Sequence, residues 1–145
     1  MNRNNIIILI SVFFTAIVLT SCEKEEEYRA NITVINNSDT IVTDFSYKGY
    51  GTDFSKTIDK IIPLEEQEFE IHWIGKKSAL FGSIDNSYIF QTIDYYIGNK
   101  EFNVQNEKDS KIDSYGNYYS EKEITNGSDV NIVIDNDGYE IDYVK

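Results

Sequence analysis

Residues 68 to 75 read Glu-Phe-Glu-Ile-His-Trp-Ile-Gly, "EFEIHWIG", and their character changes at almost every step. In an extended chain Phe69, Ile71 and Trp73 fall on one side, and Glu68, Glu70 and His72 on the other. Successive side chains of a strand point to opposite faces, so the pattern reads as a half-buried strand with Trp73 as its core anchor. A helix would place apolar residues three and four apart between caps, and no segment after residue 28 shows that spacing.

Similar runs lie on both sides of this strand. Ala30, Ile32 and Val34 alternate within 29–36, and "NNSD" then turns the chain. Ile41, Thr43, Phe45 and Tyr47 form one face of a second strand, which Gly49 and Gly51 break. A third run, 54–62, is closed by Pro63 and "LEEQ". Residues 75–86 read as a loop or a short edge, and 88–97 as a central strand, apolar in part on both faces. Gly98-Asn99 offers a tight hairpin into 100–105. A polar loop, 106–120, carries Tyr115, Tyr118 and Tyr119. Residues 121–125 lead through Asn126-Gly127 to a strand with Val130, Ile132 and Ile134 inward; "DNDG" turns it toward Tyr139, Ile141 and Tyr143. One proline, many β-branched and tyrosine residues and turns at short intervals predict an all-β fold. The expected form is a single antiparallel, immunoglobulin-like sandwich of about seven to nine short strands, with an up-and-down barrel as the alternative.

The N-terminus has a different composition. Residues 6–19 are almost continuous hydrocarbon after Arg3, the layout of a secretory signal. The run falls short of the roughly 20 residues a spanning helix needs. Leu19-Thr20-Ser21-Cys22 resembles the lipobox of bacterial lipoproteins. The resemblance implies cleavage before Cys22, acylation of its thiol and new amine, and attachment to a membrane through lipid. The following residues, Glu23, Lys24, Glu25, Glu26 and Glu27, are similar to the surface-export signal of lipoproteins in one large phylum of Gram-negative bacteria. That likeness implies an outer-membrane protein displayed on the cell surface, a periplasm-facing one being the alternative. The expected organisation is a signal peptide over 1–21, an acidic tether over 22–28 and the sandwich over 29–145. In pattern the sandwich part is similar to small immunoglobulin-like lipoproteins of that phylum, without the paired cysteines of antibody domains.

The chain carries 13 Lys and Arg against 25 Asp and Glu, a net charge of −12. Such a surface repels nucleic acid and anionic lipid, favours solubility, and attracts basic proteins or cations. Cys22 is the only cysteine, so the domain has no disulfide.

His72 is the only histidine. With Glu68 and Glu70 it projects from one strand face at roughly 7 Å intervals, a spacing open to a divalent metal. Read as a solvated outer face, the trio needs no metal, and none is assigned. A hydrolase would need His72 as its base, and no nucleophile-elbow pattern accompanies it. Asp135, Asp137 and Asp142 open like a calcium loop, but Tyr139 stands where the third ligand belongs, and a hairpin turn explains them. Tyr115, Tyr118 and Tyr119 are candidate contacts for a glycan or protein, or rings packed on their own domain. No catalytic residue or cofactor is assigned. The expected function is a cell-envelope lipoprotein acting as a non-enzymatic binding or structural module. The alternative is an inhibitor or immunity lipoprotein that neutralises a basic toxin or enzyme.

Overall fold

The "EFEIHWIG" stretch forms the centre of a twelve-residue strand with the expected facing: Ile71 and Trp73 are buried, and Glu68, Glu70 and His72 are exposed. The structure, a computed structural model, describes residues 24–77, 88–106 and 109–144. The apolar run, Cys22 and Glu23 lie outside the described residues. Ten strands are described: β1 (Lys24–Asn36), β2 (Val42–Gly49), β3 (Ser55–Ile61), β4 (Glu66–Lys77), β5 (Tyr88–Ile97), β6 (Lys100–Asn103), β7 (Ser110–Ile112), β8 (Tyr118–Thr125), β9 (Asp129–Asp135) and β10 (Gly138–Tyr143). They form two sheets, ordered β10-β9-β1-β4 and β3-β2-β5-β8-β7, with β6 also on β5. The all-β sandwich is the expected fold.

Several details depart from expectation. One pair is parallel: β1 lies between antiparallel β4 and parallel β9. The cause is the short crossing after β8. Gly127 N–H donates to the Arg29 carbonyl and Asn31 N–H to that of Ser128, so β9 starts beside the middle of β1 and runs with it. Strand one begins at Lys24, not Arg29, so most of the expected tether is strand, paired residue for residue with the end of β4. The loop expected over 106–120 contains β7, paired with the start of β8 as a hairpin. The extra strand and that pairing raise the count above the expected range.

The face assigned to the second strand also changes part-way. Phe45 and Tyr47 are buried as expected, but Val42 is buried in place of Ile41 and Thr43. A bulge between Thr43 and Ser46, with Asp44 at φ 50°, adds one residue and flips the alternation. Aspartate is among the few residues that tolerate this backbone.

Side chains from both sheets meet between them. Ile32, Val34, Ile71, Ile132 and Ile134 come from one sheet; Phe45, Tyr47, Ile93, Tyr95 and Ile124 come from the other, all fully buried. Burial of each of the aliphatic and phenylalanine side chains among them contributes about 1.5–3 kcal/mol. Phe69 bridges the layers, edge-on to Tyr47 at 5.5 Å and stacked on Phe54 at 6.3 Å. Central β5 has the expected bounds, and Gly98 at φ 58° makes the tight turn into β6.

Candidate functional site

The parallel partner β9 begins opposite Asn31, so residues 24–30 extend beyond it as a two-stranded ribbon with β4. Glutamate is tolerated there because that half of β1 has solvent on its open side. Glu25 and Glu27 are exposed, while Glu26 points inward, half-buried, and accepts a hydrogen bond from the Tyr28 hydroxyl at 3.2 Å. The Tyr28 ring lies 5.9 Å from that of Trp73.

Facing the ribbon is the turn between β2 and β3. Thr52 N–H donates to the Gly49 carbonyl at 3.1 Å, and Gly49 N–H to that of Phe54 at 3.1 Å. A Cβ on Gly49 would stand 2.5 Å from Thr52 Oγ1 and would push that hydroxyl off the Gly49 carbonyl to which it donates. The turn presents Asp53 and Phe54 toward β1. Between turn and ribbon lies an open cleft of about 590 Å³, lined by Glu25, Glu26, Glu27 and Asp53 and walled by Trp73 and Phe54. Carboxylates beside aromatic rings form a place for a cationic group, since charge and ring quadrupole attract it together.

His72 stands on the outer flank of this cleft. Its Nδ1 lies 3.3 Å from Glu27 Oε1, and its Nε2 lies 2.9 Å from Glu70 Oε1. Carboxylates thus occupy both ring nitrogens, and Glu68 is not part of the cluster. Among the described residues no three His, Cys, Asp or Glu side chains are grouped to hold a metal ion. Of the expected export residues, Lys24 to Glu27 belong to β1, while Cys22 and Glu23 lie outside the described residues.

The three candidate tyrosines take different positions. Tyr115 is 89% exposed at the tip of the β7–β8 hairpin. Tyr118 is half-buried. Tyr119 is engaged within the molecule, its ring 4.6 Å from Tyr50 and 5.1 Å from Phe90. Asp113 organises the hairpin. Its side chain accepts from Tyr115 N–H at 2.8 Å, Asn117 N–H at 2.9 Å and the Tyr50 hydroxyl. The Tyr50 bond, then those from Asn117, holds the Asp113 carboxyl well below the usual carboxylate range. The same bond, with desolvation second, pushes the Tyr50 hydroxyl up to about 12. Tyr50, between two glycines read only as breakers, is the contact that the sequence did not single out.

Two wholly buried amides also went unseen. Asn36, where β1 ends, donates from Nδ2 to the carbonyls of Thr40 and Ile61, both at 2.9 Å. Its Oδ1 accepts from Ser38 N–H at 3.0 Å and Ser38 Oγ at 2.6 Å. Gln91, on β5, has neither side-chain amide atom bonded to a described residue. Asp135 accepts from Asn37 Nδ2 at 2.7 Å at the β9–β10 turn, a structural bond in place of a calcium loop.

Compared with known families and curated proteins, the chain matches no family model and no curated relative.

Proposed function

We propose that this protein is a lipid-anchored cell-envelope lipoprotein whose sandwich is a non-enzymatic binding module, taking a cationic group of a protein or glycan partner in the acidic cleft. The observation that carries the reading is the pairing of four carboxylates, Glu25, Glu26, Glu27 and Asp53, with the rings of Trp73 and Phe54. The position of His72 supports a binding rather than a hydrolytic role, because carboxylates flank both its nitrogens. The lipobox resemblance at Cys22 supports the anchor, and the acidic run after it supports display on the cell surface. A second reading, an inhibitor or immunity lipoprotein against a basic toxin or enzyme, is favoured by the net charge of −12, which would steer such a partner.

Trp73 is the only tryptophan and forms a wall of the cleft, so its emission reports occupancy. Titration with a lysine-rich peptide is expected to change that emission at low salt and to lose the effect at high salt. A glutamate-rich peptide is expected to leave it unchanged, and Asp53→Asn with Glu27→Gln to weaken the response. Equal responses to both peptides, or none to either, would contradict the reading.

A further inference from the structure

Among the described residues five strands have an open side, and four are poor templates for another chain; one of these, β6, has only four residues. Strand β7 has three residues, β10 has six, and β3 carries Lys56 and Lys60 with only Ile61 buried. Short length and lysine are the usual protections of a sheet edge. Strand β4 is different. It runs twelve residues in unbroken register with β1, has no proline, and among the described residues pairs with no strand on its other side.

The phase of its hydrogen bonding follows from one contact. Asn36 N–H donates to the Glu65 carbonyl, and Asn36 and Glu65 occupy corresponding positions in the β1–β4 register. Donors and acceptors alternate along a strand, so odd-numbered residues of β4 are bonded to β1. The N–H and C=O groups of Glu66, Glu68, Glu70, His72 and Ile74 therefore face the open edge. These are also the residues whose side chains point outward, and Ile74 is 67% exposed.

We infer that β4 is a homotypic docking edge, on which a second copy of this chain adds its own β4 antiparallel in the register that sets Glu70 opposite His72. Open-edge groups can meet only open-edge groups, so the allowed registers differ by two-residue slips. One slip sets Glu70 opposite Glu70, and the other sets His72 opposite His72; each juxtaposes like groups on the twofold axis. The register between them sets Glu70 across from His72 twice, Glu68 across from Ile74 and Glu66 across from Lys76, with no acid facing an acid. Ile71 then meets Ile71 on the core side. The side chains of Glu70 and His72 are 40% and 46% exposed, so in the dimer each exchanges its 2.9 Å contact within the chain for the same contact across the strand pair. Because the two strands run oppositely, the Lys24 ends lie at opposite ends of the joined sheet. Copies anchored in one membrane would then pair with the sheet lying along its surface.

The register can be read by disulfide trapping of the full chain in cells. Glu70→Cys and His72→Cys are made separately, each with a different tag, and expressed alone and together. Directly opposed residues have Cβ atoms about 4.5–5.5 Å apart, close enough for a disulfide after small adjustment. Co-expression is expected to give a mixed, reducible dimer carrying both tags, and each variant alone is expected to give no disulfide-linked dimer. Dimer from either variant alone would indicate a slipped register and overturn the assignment; so would the absence of dimer in every combination. As a second test, His72→Glu makes both central pairs repulsive. At physiological ionic strength it is expected to lower the dimer association constant about tenfold, with the strand signature in circular dichroism unchanged. A wild-type chain that remains monomeric by light scattering across the concentrations tested would overturn the inference.

Discussion

Asn36 and Gln91 are both side-chain amides with no exposed surface, yet their surroundings are opposite. Asn36 closes the end of the sandwich where β1 and β3 finish, and four hydrogen bonds use all of its donors and acceptors. Gln91 lies toward the other end, across from Gly49, with no such partners among the described residues. A satisfied buried amide fixes one geometry, whereas an unsatisfied one carries its full desolvation cost. The difference extends to the surroundings. The Asn36 end is sealed by a polar knot, while the Lys24 end is open, acidic and lined with rings. One end is closed by satisfied polar groups, and the other leaves carboxylates and rings beside solvent.

The largest expected effect tests the wall of the open end. Trp73→Ala should destabilise by about 3–5 kcal/mol in chemical denaturation, since the indole is 4% exposed. His72→Ala, on the opposite face of the same strand, should cost about 0.5 kcal/mol or less. Comparable losses would contradict the facing of β4. At the sealed end, Asn36→Ala should cost about 2–3 kcal/mol, because the carbonyls of Thr40 and Ile61 lose their donor. The comparison is sharpest at Gln91. Gln91→Met retains most of the volume and removes an unpaired amide, so it should stabilise by about 1 kcal/mol. A loss instead would mean that Gln91 makes bonds the contrast denies it. The smallest effect concerns Asp113. Its carboxyl is held low in the folded state, so its contribution is present above the ordinary carboxylate range and is lost as pH falls through that range toward the folded value. Melting temperature should therefore fall more steeply below about pH 4 for wild type than for Asp113→Asn.

Much of this fold was legible because its signals are local. The alternation of "EFEIHWIG", the apolar length of 88–97 and the Gly98-Asn99 turn each fix an element from neighbouring residues alone. What could not be read depends on distant partners. Nothing near Ile41 reveals that Asp44 adopts a positive φ and shifts which residues face inward. The parallel pairing of β1 with β9 is set by contacts of Gly127 and Ser128 with Arg29 and Asn31, about a hundred positions away in the chain. The acidic cleft was hidden for the same reason. Five charged residues in a row read as a solvated linker, and only the far end of β4 makes strand of Lys24 to Glu27. Of the candidate contacts, Tyr119 was visible as an aromatic residue, but its partner Tyr50 was masked by two glycines.

Amide hydrogen exchange resolved by residue shows whether the acidic run is part of the sheet. Even-numbered positions of β1 bond to β4, so Glu26 and Tyr28 should exchange slowly. Glu25 and Glu27 point to the open side before β9 begins and should exchange fast. The expected pattern is slow exchange at 26 and 28 and fast exchange at 25 and 27. Uniformly fast exchange from residue 24 to residue 28 would show a free tether and would remove the floor of the cleft.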